Sequence, residues 1–183
     1  DTGDKGRLTH FPVNVGPIRY ANLGPIQRDV ANLKAAIAGT TAQRAFLTSV
    51  VTGVVILPGS YYPDSEAQAA AVAEAMREEY RAIIDAGFDL QLDDPLLVNQ
   101  YEMYYSMNAD MAGFRKWGES HIELVNHGLE GIPEDRVRYH VCWGSWKGPH
   151  SSDLPLSSVL DLVMKVKASQ YSVEAANPQH EHE

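Results

Sequence analysis

The chain has 183 residues, 44% of them hydrophobic and 21% charged, a formal net charge of -9 and one cysteine. That is enough apolar material for one domain with a sizeable core, and the negative balance argues against nucleic acid as the main partner. One cysteine makes no internal disulfide, and no apolar run is long enough to cross a bilayer, so a cytoplasmic protein with no membrane partner is the default expectation.

Residues 1–24 read as loop, because Gly3, Gly6, Pro12, Gly16, Pro17 and Gly24 interrupt every run; Phe11 to Val15 has the look of a short extended piece. Pro25 sits where a first helical turn favours proline, and Ile26, Val30, Leu33 and Ile37 follow at helical spacing until Gly39. Ala45–Val51 reads as a strand, with Val54–Leu57 as its apolar continuation or a second short strand. Ser65 with Gln68 three residues on fits a capping box for the next helix. In that helix Val72, Met76, Tyr80, Ile83 and Ile84 form one stripe, and Gly87 stands where a C-terminal glycine belongs.

Phe88, Leu90 and Leu92 then alternate with Asp89, Gln91 and Asp93, which is the period of a strand, and Pro95 stops it. The aromatic and methionine-rich run Tyr101–Met107 reads as a connector or short helix packed near a site. Met111, Phe114, Trp117, His121, Leu124 and Val125 make a further helical stripe. Arg136–Gly144 is the most informative stretch: Val137, Tyr139 and Val141 alternate with Arg138, His140 and Cys142, so an imidazole and the only thiol share one side, one pleat apart. Pro155 opens another helix, with Leu156, Val159, Leu160, Val163 and Val166 inward. The last strand runs from Tyr171 to Glu174, with Ser172 and Glu174 on one side.

Strand and helix alternate at least four times, which predicts a mostly parallel sheet. A parallel sheet normally has two apolar faces, whereas three of these strands carry a polar face ending in Asp93, His140 with Cys142, and Glu174. Polar groups at C-terminal strand ends suit a barrel whose inward face opens on an active site. A doubly wound open sheet is the alternative, disfavoured by the lack of a Gly-rich dinucleotide fingerprint after the first strand.

Taken together, His140, Cys142 and Glu174 offer one nitrogen, one sulfur and one oxygen donor, all of which zinc accepts; calcium and magnesium prefer oxygen and do not recruit a thiol. A replaceable position on such a zinc admits an external thiol, which loses its proton on binding and becomes a nucleophile at neutral pH. The competing reading is a buried cysteine beside a satisfied strand histidine. Asp93 and Asp94 suit a substrate ammonium or hydroxyl, or else a helix-capping role, since Asp-Asp-Pro is a common loop entry. His150, His180 and His182 are further ligand candidates, and Trp143 and Trp146 flank the turn as pocket walls or loop anchors.

These residues resemble a known family. His140-Val-Cys142-Trp-Gly, Leu90-Gln-Leu-Asp-Asp-Pro95 and Ser172-Val-Glu174-Ala-Ala-Asn-Pro look like the catalytic barrel of the cobalamin-independent methionine synthase superfamily, nearest its short single-barrel members, the methionine synthase II-like branch that includes the epoxyalkane:coenzyme M transferases. The resemblance runs from about residue 13 onward. It implies an α/β fold, a (β/α)8 TIM barrel of the uroporphyrinogen decarboxylase/methionine synthase type, with 1–183 as a single partial barrel lacking N-terminal and C-terminal segments. It implies zinc held by His140, Cys142 and Glu174, substrate contacts from Asp93 and Asp94, and a methyl- or alkyltransferase joining a small-molecule thiol to an alkyl donor, akin to the 5-methyltetrahydropteroyltriglutamate–homocysteine methyltransferases of methionine biosynthesis.

Departures from the family sharpen the expectation. Asp94 stands where methionine synthases usually have Glu. The family's second zinc cysteine lies beyond the position of Glu174, which puts the fourth ligand beyond Glu183. The insert Gly144–Pro155 is that of the short branch, which sets folate and homocysteine aside as given substrates. Two rivals remain: a metal-free decarboxylase-like barrel, with basic side chains such as Arg138 pointing into an acidic-substrate pocket, and a non-catalytic piece that binds or supports a partner.

Overall fold

A computed structural model describes residues 12–144 and 153–174. Among the described residues four strands form one sheet: β1 (Phe46–Val50), β2 (Asp89–Asp94), β3 (Val137–Val141) and β4 (Gln170–Val173). Every pair is parallel and the spatial order equals the chain order. Five α-helices accompany them among the described residues: α1 (Gly24–Ile37), α2 (Ser65–Asp85), α3 (Leu96–Gln100), α4 (Met111–Gly128) and α5 (Leu160–Val163).

The order of the sheet decides its architecture. A doubly wound sheet reverses direction at a switch point and covers both faces with helices. Here each crossover moves one strand further in the same direction. Right-handed crossovers then stack their helices on one side. The outward residues Leu90, Leu92, Val137, Tyr139 and Val141 are fully buried, in one cluster with Tyr80 and Ile83 of α2, Phe114, Ile122 and Val125 of α4, and Leu162 and Val163 of α5. The opposite face carries Thr48, Val50, Gln91, Asp93, Arg138, His140 and Ser172, of which Thr48 is exposed and the rest are half-buried. One greasy, helix-covered face and one polar face, uncovered among the described residues, are compatible with part of a barrel. The described residues form four parallel strands, against the eight of a closed (β/α)8 barrel.

Local expectations fare unevenly. The cap of α2 is Asp64, whose carboxylate accepts the Ala67 N–H at 2.7 Å, so the capping residue lies one position before the Ser65 that the spacing suggests. Val54–Leu57 does not continue a strand: Thr52–Val55 is a 3₁₀ turn that carries the chain over the sheet edge. In the final helical segment Leu160 is exposed and Leu162 is buried, the reverse of the expectation for Leu160, because Leu156–Ser158 is a 3₁₀ turn and shifts the phase of the four-residue helix that follows. The aromatic run contains a π-turn, Tyr101–Tyr105, from which Tyr101 and Tyr105 meet the Phe114 ring edge-on. Among the described residues no helix is long and apolar enough to cross a membrane.

Candidate active site at the C-terminal edge of the sheet

The parallel registers order the polar face into rows. Thr48, Gln91, Arg138 and Gln170 stand side by side; the next row toward the C-terminal edge is Val50, Asp93, His140 and Ser172. Continuing the β3–β4 register by one step beyond Val141–Val173 puts Cys142 opposite Glu174, and the Glu174 N–H donates to the Val141 carbonyl at 3.3 Å. So the imidazole, the thiol and the carboxylate singled out from sequence leave two neighbouring strands at the same edge, where the strands lie about 4.8 Å apart. Among the described residues no three His, Cys, Asp or Glu side chains converge into a metal cage.

The orientation of His140 is fixed by its neighbour. Nδ1 lies 3.1 Å from the Ser172 carbonyl oxygen and 3.3 Å from Ser172 Oγ. A carbonyl only accepts, so Nδ1 carries the proton, and in the neutral ring Nε2 holds the lone pair. A ring anchored through Nδ1–H to a backbone carbonyl is the arrangement that metal-binding histidines use to present the other nitrogen.

Cys142 is half-buried. Burial pushes its thiol above the usual range, and the carboxylates of Glu174, Asp93 and Asp94 push the same way, while the Gly144 N–H, aimed back at the sulfur, works against them. Gly144 can do this because its φ is +80°. Trp143 is buried between them and donates its indole N–H to the Leu154 carbonyl at 2.8 Å, so of its two readings the loop anchor is the one realised. Trp146, His150, His180 and His182 lie outside the described residues.

Asp93 and Asp94 part company. Asp93 is half-buried on the polar face beside His140, and its Oδ1 accepts the Gln91 amide at 2.8 Å. Asp94 faces the helices and is wholly buried. Its Oδ1 accepts the N–H groups of Leu96 and Leu97 at 2.9 and 3.0 Å, which caps the start of α3. Its Oδ2 takes the Tyr139 hydroxyl and His121 Nε2, the latter at 2.6 Å. Burial alone would raise the Asp94 pKa; the His121 charge and these donors outweigh it and hold the carboxyl below its ordinary value. Burial and the Asp94 charge keep Tyr139 well above the phenol range, as a standing donor. Of the two roles the sequence leaves for Asp94, helix capping describes its surroundings, and no oxygen of it is left for a substrate.

Sequence reasoning overlooked Ser172 as the orienting partner of His140 and His121 as the partner of Asp94. The first was within reach, since Ser172 sits on the same side as Glu174 in the β4 pattern. The second was not: His121 occupies an apolar stripe position, and only the packing of α4 over β2 brings it to Asp94.

No family model matches the chain. A segment of 88 residues, 48% of the chain, is 27% identical to the 2-hydroxypropyl-CoM lyase of Xanthobacter autotrophicus, and it spans 19% of that protein's length. The segment is therefore similar to part of an enzyme, which fits only loosely the short branch that the motifs resemble.

Proposed function

We propose that this sheet is the catalytic wall of a zinc-dependent transferase that alkylates a small thiol. The observation that carries the reading is His140, with Nδ1–H tied to the Ser172 carbonyl and Nε2 left to a metal, at the edge where Cys142 and Glu174 also emerge. His140, Cys142 and Glu174 are the residues that would hold the ion; they do not converge without it, so binding would have to draw their side chains together. The electrostatics of Cys142 favour this use: three carboxylates disfavour its thiolate, and a dication reverses that balance. When bound, zinc would supply the Lewis acidity that lowers the pKa of an incoming thiol.

The chain's own residues do the rest. Asp93 offers a carboxylate on the same face, one row below Cys142, to a hydroxyl or ammonium of the substrate. The new sulfur–carbon bond forms as the bond from that carbon to its leaving group breaks, and the thiol proton passes to solvent. The name of the lyase relative supports a thiol of the coenzyme M kind as one acceptor to try; methionine and folate chemistry draw support only from the motif resemblance.

Metal analysis tests the reading. About one zinc per chain is expected in the protein purified without chelator, and Cys142→Ser should lose most of it while its helical circular dichroism stays unchanged. The metal-free, decarboxylase-like alternative gains one observation, the basic Arg138 on the polar face. It expects no zinc and no change on Cys142→Ser, so the same assay separates the two.

A further inference from the structure

Among the described residues, Arg138 is the only cation within the rows that lead up to Cys142, and it has no carboxylate partner. Other guanidinium groups nearby are paired: Arg44 and Arg136 both hold Asp89, at 2.8 and 2.7 Å, at the opposite end of the sheet. The Arg138 side chain instead crosses β2. Its Cζ lies 4.5 Å from the centroid of the Phe46 ring on β1, a cation–π contact, and Nη1 points at Gln91 Oε1 at 3.5 Å. Gln91 is its register partner, and Gln91 Nε2 donates to Asp93 Oδ1 at 2.8 Å.

The amide can sit only one way round. A guanidinium has donors and no acceptor, and an ionised carboxylate has acceptors and no donor. Between the two, Gln91 must turn its oxygen to Arg138 and its NH2 to Asp93; the flipped amide would oppose donor to donor and oxygen to oxygen. Arg138, stacked on Phe46, thus sets the sense of Gln91, and Gln91 sets the rotation of the Asp93 carboxylate. Asp93 Oδ2 has no protein partner among the described residues.

We propose that Arg138 and Gln91 form a positioning relay that locks the Asp93 carboxylate through Oδ1 and presents Oδ2 to a hydrogen-bond donor on the substrate. The substrate side of this statement rests on the transferase reading given above; the relay does not. Neither Arg138 nor Gln91 touches the reacting atoms. A fixed carboxylate discriminates between thiols that carry a nearby donor and those that do not, because its geometry is set before the ligand arrives.

Two measurements test it. The first needs neither metal nor substrate: the side-chain amide protons of Gln91 are followed by NMR. The relay expects the proton facing Asp93 to be shifted downfield of an ordinary glutamine amide, and to move back in Asp93→Asn and in Arg138→Leu. A Gln91 amide at ordinary shifts, or one unmoved by both substitutions, overturns the relay. The second compares the affinities of zinc-loaded protein for cysteamine and for ethanethiol, which share a thiol and differ in the ammonium group.

Wild type should favour cysteamine by about tenfold, the size of one charge-assisted hydrogen bond. Gln91→Leu and Arg138→Leu should bring that ratio close to unity with ethanethiol affinity unchanged, and Gln91→Leu should add nothing in an Asp93→Asn background. A cysteamine preference that survives both leucine variants overturns the positioning role. Wild type that binds neither thiol defeats the transferase reading, and the NMR result alone then decides the relay.

Discussion

Asp93 and Asp94 are consecutive residues of β2 that face opposite sides of one sheet. Asp94 is sealed under α4 and gives all its acceptor capacity to the protein: two helix N–H groups, a tyrosine hydroxyl and a histidine. Asp93 is half-buried on the uncovered face, is held by one amide, and keeps an oxygen unengaged among the described residues. The same contrast runs the length of the sheet. Its helix-facing side chains build the core, whereas those on the opposite face form rows that gain chemistry toward the C-terminal edge. A carboxylate with every lone pair satisfied by the fold stabilises that fold; one held by a single donor is available to a ligand.

The largest expected effect follows from deleting the buried member. Asp94→Ala leaves Tyr139, His121 and two helix N–H groups unsatisfied in a dry site, and should cost about 3–5 kcal/mol in urea unfolding. Asp93→Ala should stay within about 1 kcal/mol of wild type. Equal losses would erase the distinction between the two faces.

Acid should expose the same difference. The Asp94 pKa is lower in the folded protein than its ordinary 3.8, so its contribution to stability is complete above that value and disappears as pH falls through the lower, folded pKa. Asp89 has the same sign: burial would raise its pKa, and Arg44 with Arg136 outweigh that. The urea midpoint of wild type should therefore drop steeply below about pH 4, and Asp94→Asn should flatten that drop. A variant as acid-sensitive as wild type would place the proton elsewhere.

Gly144→Ala should have an intermediate effect. At φ +80° a side chain costs about 1–2 kcal/mol, and the added Cβ would stand 2.7 Å from Asn99 Nδ2, itself tied to the Pro95 carbonyl at 2.7 Å. If that strain turns the residue-144 N–H away from Cys142, zinc retention should also weaken in a competition assay. Unchanged retention would show that this N–H does not tune the thiol.

The smallest effect distinguishes the proposed ligands from each other. Glu174→Gln keeps an oxygen donor of the same shape and should weaken zinc binding less than Cys142→Ser, which replaces thiolate by a poor ligand. Equal losses in a chelator titration would rank the carboxylate as high as the sulfur.

The sequence by itself determined the alternation of strands and helices, the two-sided character of β2, β3 and β4, and the sharing of one side by His140 and Cys142. All of these follow from a period of two or 3.6 residues acting within a few residues of chain. It could not separate Asp93 from Asp94 in role, because Asp-Asp-Pro allows either one to cap. Only tertiary structure decided that. Parallel pairing in chain order put α2, α4 and α5 against one face, α4 brought His121 over Asp94, and β4 brought the Ser172 carbonyl to His140. Contacts between residues 27 or 32 positions apart depend on register and packing, which no local pattern encodes.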